Sequence, residues 1–524
     1  MRLLFLTLFL AAAAYARPTI STVDRFLESI DVNPELISTA DKAAGGIAFT
    51  CSVLTHYPSS NNSNTSSQYL TTQSHPFYLS HAHAHWSTTA YRQPACIYSP
   101  PTLDQVAIAV RIATFSSTPF AIRSGGHSPL SGWANIDGQL LISLSGIRDL
   151  HYDETTQTVR VGFGNRWQDI YRFLAPYNRL VVGGRQGTVG MALTVGGGLS
   201  HLSNEHGWPA QNVLSYTVVL ADGRIVTASA TEHAELYFAV KAGGNNFGIV
   251  THITMRTVPA SAVWGGQIVY SANNSREFMA ALAEYQREGQ MDVKSAVLPY
   301  VGLNNDTIIC TLAYLDGNVD SQLQVPEAFR PFYDIPAMQG STGIHASFAD
   351  LAALELPSVV PRWTYATTTL LLDTQAYVDI LDLVAESSDA VSRLQGGSFV
   401  IMPQPISRSM VKASVALAND PMNVTPAAQL WLTLNVGWSL SSDDEAVHAI
   451  ITAAMARIEE YTKSRGVYDP FLFLNDAHSS QDPFVGYGED SYARLRVASQ
   501  RYDPRGVFQV LVVGGFKLKT GYKK

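Results

Sequence analysis

"AIRSGGHSPLSG", residues 121–132, is the stretch on which the fold of this chain turns. An apolar strand runs into two adjacent glycines and then a histidine. Glycines at a strand end mark a backbone that turns sharply or admits a bulky partner at close range. His127 is therefore either a passing loop residue or the anchor of that partner. A second run, "VVGGRQGTVGMALTVGGGLSHLSNEHGWPAQNV" at 181–213, repeats the feature. Both loops offer backbone N–H groups unscreened by side chains, as the cradling of a diphosphate requires. The chain has no Gly-x-Gly-x-x-Gly and no Gly-Lys pair, so it carries neither a Rossmann fingerprint nor a Walker A loop. Gly-x-Ser-x-Gly and His-Glu-x-x-His are absent too. Two bare loops without a nicotinamide fingerprint point to a different large cofactor.

The surroundings read as mixed α and β. "ACIYS" is strand-like, and "PTLDQVAIAVRIATFS" is a helix with Thr102 and Gln105 at capping-box spacing. "PFAIRSGG" then closes a strand-helix-strand unit. "QLLISLS" and "TVRVGFG" are further strands, followed by a helical "WQDIYRFLAPY" and a hairpin turning at 221–223. A helix "AELYFAVKAGG" and a strand "NNFGIVTHITMRTV" end the unit near residue 257. From about residue 263 the texture changes to strands such as "IICTLAYL" and "LWLTLNVGW", alternating with helices such as "DEAVHAIITAAMARIEEYTKSRG". A second, α+β domain with a covering sheet is expected there.

A length of 524 residues predicts more than one domain. The 46% apolar and 15% charged composition fits a compact globular protein, and a net charge of −8 without basic clusters argues against nucleic acid as a partner. "MRLLFLTLFLAAAAYA" has a basic start, an apolar stretch and an Ala14-Tyr15-Ala16 cleavage pattern, which predicts a signal peptide at 1–16 and a secreted protein. That stretch is too short to span a membrane, so no membrane partner is expected. Sequons at Asn61, Asn64, Asn273, Asn305 and Asn423 agree with export. Of three cysteines, Cys51 and Cys96 are expected to pair, because Cys310 sits in a strand-like apolar run. "HAHAH" at 81–85 would align three imidazoles on one face of a strand, but no carboxylate or cysteine cluster completes a site. It is read as an accessible loop, and no metal is expected.

Taken in order, "CIYSP", "RSGGHS", "TVGGGLSHLSNEHGWPAQNV", "VVLADGRIV", "GGNNFGIVT", "FLN" at 473–475 and "YDPRGVFQ" resemble the berberine-bridge-enzyme-like flavoproteins of the vanillyl-alcohol-oxidase superfamily, especially fungal secreted members. The resemblance spans roughly 45–515. It implies an α+β fold: a two-lobed, PCMH-type FAD-binding domain at 45–260, a substrate domain at 261–467 with an antiparallel sheet over the flavin, and a segment at 468–515 returning to the first domain.

The resemblance also implies site residues. His127 matches the histidine bonded to the 8α-methyl carbon of FAD. Arg123, Ser124, Gly125, Gly126 and Ser128 match the diphosphate loop. Val189, Gly190, Gly197, Gly198, Asn212 and Val213 match the second FAD loop, and Gly248, Ile249 and Val250 the strand by the adenine end. Many relatives carry a second link from a cysteine, where this chain has Gln186, so a single link through His127 is expected. Relatives often read Asn-Tyr where this chain reads Asn475-Asp476, with the tyrosine as base. Asp476 is then a catalytic base in its place, or a turn cap. The implied reaction moves a substrate proton to a base and hydride to flavin N5, with molecular oxygen reduced to hydrogen peroxide. The missing second link ranks a small organic secondary metabolite ahead of a sugar as substrate. The alternatives are an oligosaccharide oxidase, a redox-neutral isomerase or cyclase using flavin as scaffold, and a flavin-binding glycoprotein without turnover.

Overall fold

Alternating apolar residues in "LWLTLNVGW" build an inner strand of the largest sheet. In the computed structural model, which describes residues 19–57, 66–304, 306–318, 325–354 and 360–518, this stretch is the strand Gln429–Trp438. It lies in an eight-stranded sheet ordered 337–345, 263–271, 307–314, 295–302, 398–406, 429–438, 362–371 and 468–469. Every neighbouring pair is antiparallel. The period of two sends Leu430, Leu432, Leu434 and Val436 into a core with Phe278, Tyr377 and Ile451 of the helices Ser275–Arg287, Thr374–Leu383 and Asp444–Arg465. Thr433 and Asn435 therefore occupy the opposite face. Register places Gln404 beside Trp431 and Tyr365 beside Asn435 on that face. Trp431 packs there at a tilt against Trp208 of the other half of the molecule, with ring centroids 5.1 Å apart. The α+β class and the antiparallel roof match expectation.

The first lobe has strands Leu70–Thr72, Cys96–Tyr98, Leu140–Ser143 and Phe120–Arg123 side by side in that order. The last three are parallel. Their crossover is the helix Leu103–Phe115, capped by Thr102, whose hydroxyl accepts from the Gln105 N–H. In the second lobe the strands run 150–153, 158–162, 249–259, 213–219 and 225–229, all antiparallel, with 179–181 pairing the end of the long third strand. Both lobes share one core, which includes Val110, Leu140, Trp167 and Tyr216.

That core also takes in residues ahead of the expected start at 45. Val23 and Leu27 of the helix Ile20–Glu28 are buried in it, and Phe26 stacks on Phe115 at 3.9 Å. The Cys51–Cys96 disulfide ties the helix Gly46–His56 to the first lobe, while Cys310 is a buried free thiol. After residue 468 the chain returns to both lobes. Helix Glu489–Tyr502 packs on helix Ala234–Val240, with the Arg494 guanidinium 3.5 Å from the Phe238 ring centroid, and the Phe120 N–H donates to Leu511 O at 2.9 Å. Asn273 and Asn423 are exposed. The segment 1–16 and the sequons at Asn61, Asn64 and Asn305 lie outside the described residues. Among the described residues no helix is long and apolar enough to cross a membrane.

Candidate active site

The strand Phe120–Arg123 ends in a loop that only glycine can make. Gly126 has φ 67°, and a Cβ there would lie 2.4 Å from Ala84 O. Gly125 sits against Gly190, so that a Cβ on either would come within 2.6 Å of the other's Cα. The two glycine-rich runs thus meet backbone to backbone. Arg166 ties them together by donating to Gly125 O at 2.9 Å and to Thr188 O. Among the described residues the N–H groups of Gly125, Gly126 and Ser128 find no backbone acceptor. The Ser124 hydroxyl donates to Phe163 O at 2.5 Å and fastens the loop, while the Ser128 hydroxyl accepts from the Leu130 N–H at 3.3 Å.

Arg123 is 4% exposed. Its guanidinium meets His85 Nε2 at 3.2 Å and Ser143 Oγ at 3.5 Å. Burial lowers its pKa to about 10, with no neighbouring charge to compensate. Burial, with the charges of Arg123 and His83, pushes His85 down to about 3, so a neutral imidazole buttresses the cation. His81 instead bonds Thr71 at 3.0 Å, and His83 stacks on Tyr91 at 4.2 Å. "HAHAH" starts inside the short helix Tyr78–Ala82, and its three rings serve three separate partners.

The His127 ring lies against Trp86, with centroids 5.1 Å apart and planes 8° from parallel. Trp86 N–H donates to Gly126 O at 2.9 Å, which fixes the loop under the stack. Burial and the Arg166 charge push the His127 pKa to about 4, so the imidazole is in its neutral, nucleophilic form at neutral pH. Trp86 in turn approaches Trp363 at 5.7 Å and Tyr365 at 6.1 Å, making an aromatic bridge from the loop to the sheet.

In the second run, Val189 O accepts from the Trp167 N–H at 3.0 Å, beside Gly190. Gly197 and Gly198 have φ of 87° and 83°, and their missing Cβ atoms leave room for Met422 and Pro209. The Asn212 amide donates to His206 O at 2.9 Å and Trp208 O at 3.0 Å, so it braces the run from within, and Val213 starts the next strand. Gly248 packs flush on Val218 and Val219, and Ile249 and Val250 are buried in the long strand that follows. Their contacts are to the neighbouring strand, away from the glycine crossing.

The chain after the sheet brings in Asn475 and Asp476. The Asn475 amide donates to Leu193 O at 3.2 Å and Gly196 O at 2.9 Å, and its side chain fills the space over Gly196. It clamps the second loop, and its neighbour Asp476 is thereby held against the sheet. Asp476 Oδ2 accepts from Gln404 Nε2 at 2.8 Å and from Thr433 Oγ1 at 3.0 Å. Burial raises its pKa, while Arg185, Gln404 and Thr433 work in the opposite direction. Arg185 donates to Gln404 Oε1, and Gln186 Nε2 donates to the Tyr300 hydroxyl at 2.8 Å. Asp476 thus belongs to a polar cluster between loop and sheet rather than capping an exposed turn.

Arg185, Gln404, Thr433, Tyr300, Tyr365 and Trp86 are the site residues that sequence reasoning missed. Arg185 had a visible signal, a lone cation between glycines. Gln404 was marked only by its place between two prolines in an otherwise apolar strand, "IMPQPI".

Two lobes with crossed glycine loops, roofed by an antiparallel sheet that brings a carboxylate to the crossing, define a flavin-dependent oxidoreductase. The family model described as an FAD binding domain matches residues 94–229. The bifunctional solanapyrone synthase of Alternaria solani is 48% identical over 502 residues, 96% of this chain and 95% of that protein. An FAD-dependent monooxygenase of Arthrobotrys oligospora is 30% identical over 510 residues, 97% of each chain. The solved structure of the glucooligosaccharide oxidase of Acremonium strictum, with its 6-S-cysteinyl, 8α-N1-histidyl FAD, shares the fold at TM-score 0.67 and 18% identity, covering 83% of this chain and 94% of that one. The chain belongs to the family of FAD-dependent oxidoreductases of these fungal relatives, and its fold is the berberine-bridge-enzyme-like, PCMH-type one.

The residues present fit FAD. The glycine crossing is a cradle that any Cβ would fill, three N–H groups there lack backbone acceptors, and Arg123 is a buried cation without a carboxylate partner. The two loops would hold the diphosphate, and His127 stands at the end of the first.

Proposed function

We propose that the protein is an exported oxidase that holds FAD covalently through His127 alone. Its substrate is a small organic molecule of a fungal secondary-metabolite pathway, oxygen is the second substrate, and Asp476 accepts the substrate proton. Asp476 carries the reading: its Oδ2 is pinned by Gln404 and Thr433, and its Oδ1 is bonded by no described residue. A carboxylate so oriented, with proton affinity raised by burial, is a better base than an exposed one. When bound, FAD supplies the two-electron acceptor for the hydride that the substrate gives up. His127, neutral and held flat on Trp86, is the nucleophile for a single tether, and Gln186 stands where a second would come from. The roles of Arg123, Ser124, Gly125, Gly126, Ser128, Val189, Gly190, Gly197 and Gly198 are to shape the diphosphate cradle; Asn212 and Val213 brace the second loop, and Gly248, Ile249 and Val250 form the strand toward the adenine end. The leader at 1–16, the sequons and the Cys51–Cys96 disulfide support export.

The test is to purify the secreted protein, denature it in acid, and measure the flavin that stays with the polypeptide. Wild type is expected to retain it and His127→Ala to release it. Free release from wild type overturns the tether. The second reading is a redox-neutral rearrangement in the same pocket; the 48%-identical relative's name, bifunctional, records two activities without saying which. One hydrogen peroxide per product supports the oxidase, none supports the rearrangement, and oxygen incorporated into product supports a monooxygenase.

A further inference from the structure

We propose that Trp86 is a positioning residue for the flavin link. A run of ring contacts rooted in the eight-stranded sheet holds the His127 imidazole in the orientation that links, so linking waits on the docking of that sheet against the first lobe. The inference rests on the reading of His127 as the tether and adds what orients it.

Residues 84–89 lie against the linking loop on both sides of its histidine. Ala84 O stands 2.4 Å from where a Cβ of Gly126 would fall, and His85 Nε2 meets the Arg123 guanidinium at 3.2 Å. The Trp86 N–H donates to Gly126 O at 2.9 Å, and its indole lies 8° from parallel to the His127 ring. Beyond His127, the Thr89 hydroxyl donates to Pro129 O at 2.5 Å. These contacts fix the backbone of the loop. The second torsion of a histidine side chain is broad, so backbone alone does not orient the ring. The flat face of Trp86 does.

The same stretch grips the sheet. The Thr88 N–H donates to Pro361 O at 2.8 Å, and the buried Ser87 hydroxyl accepts from the Trp363 N–H at 3.0 Å. Trp363 pairs with Gly437 across the strands, and its six-membered ring lies over that glycine, where a Cβ would stand 3.0 Å away. The Trp363 Nε1–H donates to Val360 O at 2.9 Å. Contact therefore runs from Gly437 through Trp363 and Trp86 to His127, with centroids 5.7 Å apart at the first ring pair and 5.1 Å at the second.

In the link a bond forms between an imidazole nitrogen and the 8α-carbon, while one N–H and one C–H bond break. The two electrons and two protons pass by way of the flavin to oxygen, as one hydrogen peroxide per link. A misplacement of about 1 Å between reacting groups can cost about 100-fold in rate.

Full-length variants are sampled early after induction, when linked flavin still grows in proportion to the linking rate. Visible absorbance counts all bound flavin, and fluorescence retained by the acid-denatured chain counts the linked share. Trp86→Phe keeps a flat ring and should link as wild type does. Trp86→Leu fills the space without a face; it should bind flavin, with a linked share lower by about ten- to a hundredfold. Trp363→Leu should lower the linked share by a smaller factor. A wild-type share in Trp86→Leu overturns the inference. So does a parallel loss of total and linked flavin in both leucine variants, which would mean that the rings only build the fold. Should Trp86→Leu alone bind no flavin, Trp363→Leu decides: a lowered share supports the inference, and an unchanged one overturns it. Unlinked flavin in wild type itself overturns the tether reading, and the inference with it.

Discussion

A carboxylate serves as a base only when its proton affinity lies near the working pH. For Asp476, burial supplies the upward push, and Arg185, Gln404 and Thr433 oppose it. The basic form does the work, so kcat/KM should rise with pH through an acid limb lying above the ordinary carboxylate value of about 4. Asp476→Asn removes the base and should lower kcat by about 10²- to 10⁴-fold, with the flavin still bound. Arg185→Gln removes the favourable charge, so the limb should move to higher pH. Profiles of kcat/KM against pH check both. A limb that stays in place in Arg185→Gln would mean that another group titrates.

At the scale of elements, the site depends on two loops meeting at one glycine pair. Gly125→Ala would place a Cβ 2.6 Å from Gly190 Cα, a backbone contact with no flexible end to yield. Overpacking of this kind costs about 1–3 kcal/mol, here at the cradle itself. Gly125→Ala and Gly190→Ala should each lower the flavin-to-protein ratio of the purified protein. An unchanged ratio in both would show that the crossing does not shape the cofactor site. The glycines were legible in the sequence because their message concerns backbone, which a local run states in full. The roof was not. Tyr365, Gln404 and Thr433 come from three different strands, and which of them face one another depends on register across about 70 residues of chain. "HAHAH" was read as an accessible loop; its first two residues end the helix Tyr78–Ala82, and that its three rings take separate partners, His85 among them on Arg123, was not legible from the spacing. Asp476 was legible as a departure from the family pattern, but its choice between base and turn cap needed the positions of Gln404 and Thr433.

At the scale of the whole molecule, the junction of loops and sheet is where four separate stretches of chain converge, and it buries histidines near Asp476. His201 lies at the second loop and His478 two residues past Asp476, at 2% and 5% exposure. Burial lowers their pKa values to about 3 and about 4; the His448 charge also lowers His478. His478 Nε2 lies 2.9 Å from His448 Nδ1, and its Nδ1 lies 2.7 Å from Ser480 Oγ. A histidine whose folded pKa is depressed takes up its proton more readily when unfolded. Its contribution is intact above about 6.5 and is lost as pH falls from there toward 4, at up to about 1.4 kcal/mol per pH unit. Asp420, Asp476 and Asp503, whose pKa values burial raises, act in the opposite sense, so the total slope alone decides nothing. The difference between two proteins that share those carboxylates does. His478→Gln keeps a polar partner for His448 and cannot titrate. Its Tm should fall less than that of wild type between pH 7 and pH 5, even if it starts lower. Parallel Tm curves would show that the His448–His478 pair is solvated enough to protonate in place, and that the junction is wetter than its burial implies.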